Sequence, residues 1–335
     1  MKNFLLKYKA LIGLVLSLGF LYLSLSKVNF NDIVQIFSRS NLSNIIFITL
    51  LALLARIILT FRWYNLLHFT NKRNLKDVFN YLNIGYLIND TLPGRIGDFA
   101  KSYLWAKKVN VSKADALASV IVERLFDLTG MGLIFLLAIF TLDLPSYALK
   151  GGIILITLCF LGFCVLLFLA KSNSKLSHIQ QRYENKKILN WILAKINKLS
   201  IYSAFLINIR LIFILIFLTI LVWFIYLFSG FLIIENLHPS HYSWQTSVVS
   251  LLFISVAFVI PSTPGNLGVY QYACILAFEI TGGGYSREEA LVFSLISQLP
   301  VYLLSILLGI YSSYSEGFEL NKIKKYAQKL DTAEN

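Results

Sequence analysis

Asn89-Asp90-Thr91-Leu92-Pro93-Gly94-Arg95-Ile96-Gly97-Asp98-Phe99-Ala100-Lys101 breaks a run of apolar sequence in two. The apolar pieces on either side, residues 78–88 and 99–106, hold eleven and eight residues. A helix that crosses a bilayer needs about twenty. Two short helices that meet at a Pro-Gly break describe a re-entrant hairpin, which membrane depth tolerates only where its open backbone is buried in protein or faces a wet cavity. The same stretch, with Val122-Glu123-Arg124-Leu125-Phe126-Asp127 downstream, sets charges among apolar residues. Charges at that depth cost a few kcal/mol or more each and persist mainly where a cavity, a partner or a substrate uses them.

The break recurs. Pro93-Gly94-Arg95-Ile96-Gly97 is echoed by Pro264-Gly265-Asn266-Leu267-Gly268, an offset of 264 − 93 = 171 residues. Thr91 is echoed by Thr263 one place nearer the proline, and Ala116-Leu117 by Ala290-Leu291 after a three-residue insertion. The second break also lies between short apolar segments, 247–260 and 269–280.

Hydrophobic residues make up 57% of the 335 and charged residues 14%, and the mean hydropathy is +0.69. A soluble domain of ordinary makeup does not reach these values, so an all-α polytopic membrane protein is predicted, forming a single membrane domain over 1–335. Cys159, Cys164 and Cys274 lie in apolar runs, as small hydrophobes rather than disulfide partners or metal ligands. The formal net charge of +13 is carried by Lys and Arg beside apolar spans, which is a topology signal and argues against a nucleic-acid partner. His238 and His241 flank Pro239 in a short loop without cysteine, and no acidic partner is expected for them, so no metal site and no cofactor are expected.

Full spans are predicted at 10–25, 42–61, 114–142, 151–170 and 211–234, with a last one ending near 312. The first is a retained span rather than a cleaved signal. Arg62, Lys72, Arg73 and Lys76 read as a cytoplasmic loop. Residues 171–208 form a basic linker whose Ile188, Trp191, Ile192 and Ile196 suit an anionic lipid surface. The tail, 316–335, is again rich in lysine. Six spans and two hairpins put both termini in the cytoplasm, with repeats 42–142 and 209–312 entering the membrane from opposite faces. Inverted repeats with discontinuous helices are the architecture of many transporters.

Thr91 and Thr263 are placed to cap half-helices that open with Pro93 or Pro264. Gly94, Gly97, Gly265 and Gly268 allow close backbone approach, and the free N–H groups with the positive dipole end suit a phosphate. Arg95 adds a bidentate fork and Lys101 a point charge. The competing reading is that the glycines serve tight helix crossing alone. Glu123, Arg124 and Asp127 share one third of a helical circumference and suit ion pairs with Arg95 or Lys101, while Asp98 and Lys101 are spaced to pair within one helix. Asp98 or Glu123 as a proton carrier is a further possibility.

The Leu92–Asp98 segment, the Ala118–Leu128 segment and Pro261-Ser262-Thr263-Pro264-Gly265-Asn266-Leu267-Gly268-Val269 together resemble the flippase-like membrane family named after the transmembrane region of lysylphosphatidylglycerol synthase. The resemblance covers about residues 5–315. It implies an inner-membrane protein of bacteria or archaea that moves anionic lipids or lipid-linked sugars between leaflets; some relatives carry a soluble aminoacyl- or glycosyltransferase domain, for which the short tail here leaves no room, so no enzyme activity is expected. Where the family commonly has Arg-Glu after Gly-Val, this chain has Tyr270-Gln271, and where the last span often carries an arginine it has Gln298. An ion pair replaced by a neutral hydrogen-bonded pair is expected there, which leaves Arg95 and Lys101 as the main cations of a head-group groove that also includes Asn266. The alternatives are an ion- or proton-coupled carrier of a small anion, and a non-transporting scaffold partnered with a cell-envelope glycosyltransferase.

Overall fold

The computed structural model describes residues 2–26, 28–92, 96–142, 146–183, 186–238, 243–258, 260 and 263–317. Among the described residues the chain forms thirteen α-helices and two short 3-10 turns, with no strand. This is an all-α polytopic membrane protein.

In chain order, α1 (Lys2–Leu25) is followed by a short amphipathic α2 (Phe30–Arg39) that leaves it at 82°. The first half continues with α3 (Leu42–Leu66), α4 (Leu75–Thr91), α5 (Gly97–Val109) and α6 (Lys113–Thr141). Then come α7 (Ser146–Lys171), α8 (Asn173–Arg182) and α9 (Lys187–Ser203). The second half holds α10 (Ile209–Leu237), α11 (Ser243–Ala257), α12 (Val269–Thr281) and α13 (Arg287–Ser315). Several starts are written locally: Asn41, Asn74, Ser112, Asn208 and Ser286 each accept a first-turn N–H with their side chains. Asn110 and Gly282 end α5 and α12 in the left-handed region.

Four stretches are long and apolar enough to cross a bilayer, α3, 149–171 within α7, α10 and α13, and the bent α1–α2 pair makes a fifth. The remaining expected span, α6, has the length at 29 residues but carries Glu123, Arg124 and Asp127 in its interior.

Both breaks fold as antiparallel hairpins of helices shorter than a span, 17 and 13 residues in the first and 15 and 13 in the second. In the first, Asn89 bonds Gly97, and Gly85 faces Lys101 across the crossing. Both pairs sum to 186, so they share one antiparallel register. In the second, Thr246 bonds Thr281, a sum of 527 that centres it between 263 and 264.

Helix packing follows an exchange of labels: replacing α3, α4, α5 and α6 by α10, α11, α12 and α13 maps one set of neighbours onto the other. Thus α4 packs on α13 and α11 on α6, α5 on α6 and α12 on α13, and α3 on α10. One apolar core lies under α3, α4, α5 and α6, around Trp63, Tyr81, Trp105 and Phe126. A second, around Ile234, Phe278 and Phe293, lies under α10, α12 and α13. Outward faces are apolar as well, with Phe213, Phe217, Ile220 and Phe224 exposed along α10, as a lipid-facing surface requires.

The basic linker is helical and is docked rather than free: α9 packs on α7 and α6, and the Tyr202 hydroxyl donates to the Leu66 carbonyl. Trp191 and Ile192 still face outward, with Lys195 over the Trp191 ring at 3.6 Å, while the side chain of Ile188 lies outside the described residues. Cys159 and Cys274 are buried, but Cys164 is exposed. His238 is not without an acid: tertiary folding brings Glu289, 51 residues away, to 2.9 Å from its Nδ1. His241 lies outside the described residues. At the opposite end of α13, Glu316 accepts from Lys108 at 2.7 Å and from Asn80 at 2.8 Å.

Candidate functional site

The half-helix caps differ from the local rule. Thr91 is the last residue of α4, and its hydroxyl donates to the Leu87 carbonyl at 2.6 Å. It is therefore spent within its own helix, six residues short of α5. The α5 start is capped by Asn89, whose Oδ1 accepts the Gly97 N–H at 2.7 Å while its Nδ2 reaches Asp98 at 3.4 Å. Thr263 makes no side-chain cap either; its N–H donates to Ser17 Oγ of α1 at 2.9 Å and its hydroxyl donates to the Leu267 carbonyl. Instead Gln271 folds back to accept the Gly268 N–H at 2.7 Å. The two capped glycines are 268 − 97 = 171 apart, so one equivalent N–H in each half is covered by a side-chain amide oxygen rather than left free.

The glycines are also required by packing. A Cβ on Gly97 would stand 2.0 Å from the Gly85 carbonyl oxygen, and one on Gly268 would stand 2.3 Å from the Ser17 carbonyl oxygen, where φ is already +84°.

The neutral pair expected in the second half is present. Gln271 Nε2 donates to Gln298 Oε1 at 2.8 Å, and Gln298 Nε2 donates to the carbonyl of Gly265. Gly265 and Pro264 belong to a short 3-10 turn with Asn266, whose φ is +53°. Tyr302 of α13 joins the tips: its ring borders Gly265, and its hydroxyl donates to the Asp90 carbonyl at 3.1 Å.

The charged residues of the first half form one network across three helices. Lys101 Nζ meets Glu123 at 2.7 Å over the Trp63 ring, rather than pairing with Asp98 within α5. Arg62 reaches Asp127 at 2.6 Å and Glu123 at 3.6 Å. Arg124 reaches Asp127 at 3.2 Å and Asp98 at 3.5 Å. Three cations face three carboxylates, so the network is neutral overall. It is also graded in access: the Glu123 side chain is 1% exposed, Asp98 17% and Arg124 45%. Arg124 lies on the outer face of α6 with Ile121, and Phe99 of α5 is exposed as well.

Arg62 therefore does not sit in a loop. It lies inside α3, buried, and two of its nitrogens, Nε and Nη1, have no hydrogen-bond partner. Arg56 was not singled out by motif or spacing, although an arginine centred in an apolar run is itself a signal. Asn83, Tyr86, Asn89 and Tyr302 were likewise missed, being ordinary polar residues whose roles depend on tertiary neighbours. Pro93, Gly94 and Arg95 lie outside the described residues.

The chain is similar to known membrane proteins. The family model described as the lysylphosphatidylglycerol synthase TM region matches residues 10–309. The chain is 31% identical over 233 residues to UPF0104 membrane protein MJ1078 of Methanocaldococcus jannaschii, covering 66% of this chain and 92% of that protein. It is 22% identical over 342 residues to UPF0104 membrane protein MJ1595 of the same organism, covering 94% and 97%. No solved structure matches the chain.

Proposed function

The chain belongs to the membrane-protein family of the lysylphosphatidylglycerol synthase transmembrane region, and from that premise we propose that it is a carrier, not an enzyme, which translocates a phosphate-bearing lipid or lipid-linked sugar between leaflets. The observation that carries this reading is Arg124. A guanidinium paired with carboxylates on its inner side yet 45% exposed on the outer face of α6 keeps an open edge toward whatever lies beside that face, and an ionisable group so placed marks a substrate path. Asp98 and Asp127 each meet one of its nitrogens, at 3.5 and 3.2 Å, and a lipid phosphate arriving laterally would offer the fork a single bidentate acceptor instead. Behind it, Lys101, Glu123 and Arg62 are sealed and fix the position of α6 against α5 and α3.

The exchange of packing partners between the halves supports reading them as two repeats of opposite orientation, in which sites near the midplane serve both faces by rocking of one half against the other. The basic linker and tail support cytoplasmic termini in a plasma membrane.

The test is reconstitution into phosphatidylcholine vesicles with fluorescent phosphatidylglycerol and leaflet-selective quenching by dithionite. Wild-type protein is expected to equilibrate the probe between leaflets, and Arg124→Gln to slow it about tenfold. Vesicles with wild-type protein that hold the probe as long as protein-free vesicles refute the reading.

A further inference from the structure

We infer that Arg56 is a second phosphate-binding group, placed at mid-depth to receive the anionic head group after Arg124. The inference rests on the translocation reading above. Arg56 stands 14 residues into α3 and 10 from its end at Leu66, about 15 Å from that end at the helical rise. It is 5% exposed. Its Nη1 donates to Asn83 Oδ1 of α4 at 3.2 Å, its Nη2 donates to Ser305 Oγ of α13 at 2.9 Å, and its guanidinium carbon lies 3.7 Å from the centre of the Tyr86 ring.

Every contact is neutral. The other two buried cations, Arg62 and Lys101, each have carboxylates within 3.6 Å, whereas among the described residues no carboxylate oxygen lies within 4 Å of Arg56. A charge with no counter-charge at the membrane centre is the costliest arrangement available to an ionisable side chain, and such residues mark substrate paths. Two of the five guanidinium N–H groups are used by Asn83 and Ser305, which fix the plane of the fork and leave donors for a phosphate.

The placement connects to the rest of the site. Along α4, Asn83, Tyr86 and Asn89 are spaced three apart and so follow one face. Asn83 and Tyr86 touch Arg56, and Asn89 touches Gly97 and Asp98, the carboxylate that holds Arg124. On α13, Ser305 is one turn from Tyr302, which touches both hairpin tips. A polar strip thus runs from the exposed guanidinium to the buried one, at the contact between the first hairpin and the last helix.

The competing role is a stitch that ties α3 to α4 and α13. Ser305→Asp separates the two roles, because it gives Arg56 a carboxylate: the stitch is strengthened while the free positive charge is cancelled. Arg56→Gln removes the charge and keeps a hydrogen-bonding side chain. Transport of fluorescent phosphatidylglycerol is measured in phosphatidylcholine vesicles beside uptake of inorganic phosphate, with thermal stability in detergent for each variant. Wild-type transport of the lipid, reduced at least tenfold by S305D in protein as heat-stable as wild type and by R56Q where it folds, supports the assignment. Wild-type transport matched by S305D overturns it and leaves Arg56 a stitch. Uptake of inorganic phosphate without lipid movement, lost in both variants, upholds Arg56 as an anion site and overturns the lipid reading. A wild type that moves neither probe overturns both.

Discussion

Glu123→Gln tests whether the buried end of the ion network is held by charge. Glu123 is the sole carboxylate within 4 Å of Lys101 among the described residues, at 2.7 Å, and both side chains are at most 3% exposed. Arg62, at 3.6 Å from Glu123, keeps Asp127 at 2.6 Å when Glu123 is neutralised. The loss therefore falls on Lys101, which is left as an uncompensated buried ammonium. Removing one partner of such a pair costs roughly 3–5 kcal/mol, which at 1.4 kcal/mol per decade is about a 140- to 3,700-fold fall in the folding equilibrium. Lys101→Met should cost a similar amount through the stranded carboxylate, softened by Arg62 and Arg124. The double variant removes both charges and should recover most of either loss, since a buried pair replaced by apolar groups is often neutral or better. The assay is a double-mutant cycle by denaturant unfolding in mixed micelles, followed by tryptophan fluorescence, which Trp63 and Trp105 beside the pair report. Single variants that each lose under about 1 kcal/mol, or losses that simply add in the double variant, refute the assignment of the pair as a coupled buried unit.

Two further outcomes follow from the geometry. Gly97→Ala should prevent normal folding, read as loss of a monodisperse peak in size-exclusion chromatography, because its Cβ would meet the Gly85 carbonyl oxygen at 2.0 Å; a stable Gly97→Ala protein would show that the crossing is looser than this. Cysteines placed at Asn74 and Lys186 should be labelled from the same, cytoplasmic side and one at His238 from the other, and labelling of the first two from different faces would break the opposed-repeat reading.

The hairpins were legible because proline, glycine and short apolar length act within ten residues, and the chain has to turn where a helix can neither continue nor span. The pairing of Gln271 with Gln298 was legible for a different reason, as a joint departure from a charged pattern. What failed were inferences from local rules alone. Thr91 satisfies the preference for a capping residue, but its hydroxyl finds the Leu87 carbonyl in its own turn first, while Asn89 reaches Gly97 only because the hairpin closes. Arg62 follows an apolar run and so looked like the start of a loop, since its partners Glu123 and Asp127 lie 61 and 65 residues on. The Glu289 partner of His238 was hidden for the same reason, 51 residues on. The close backbone approach read into Gly265 is likewise bound up with folding, because φ is +71° there and the Tyr302 ring lies 3.0 Å from where a Cβ would stand.

The order in which the network's members occur along the chain bears on how the protein is made. Arg62 emerges from the ribosome before any of its carboxylates, and Asp127 arrives 65 residues later. At roughly 5–20 residues per second of synthesis, α3 waits about 3 to 13 seconds with Arg62 unneutralised, and Lys101 joins it before Glu123 exists. Until then the unpaired charge costs the helix roughly 2.5–3.5 kcal/mol or more at bilayer depth. Burial of the network is thus complete only when α6 brings Glu123 and Asp127 to Lys101 and Arg62, so the stability of α3 and α5 in the bilayer depends on a helix made after them and not on their own hydropathy alone.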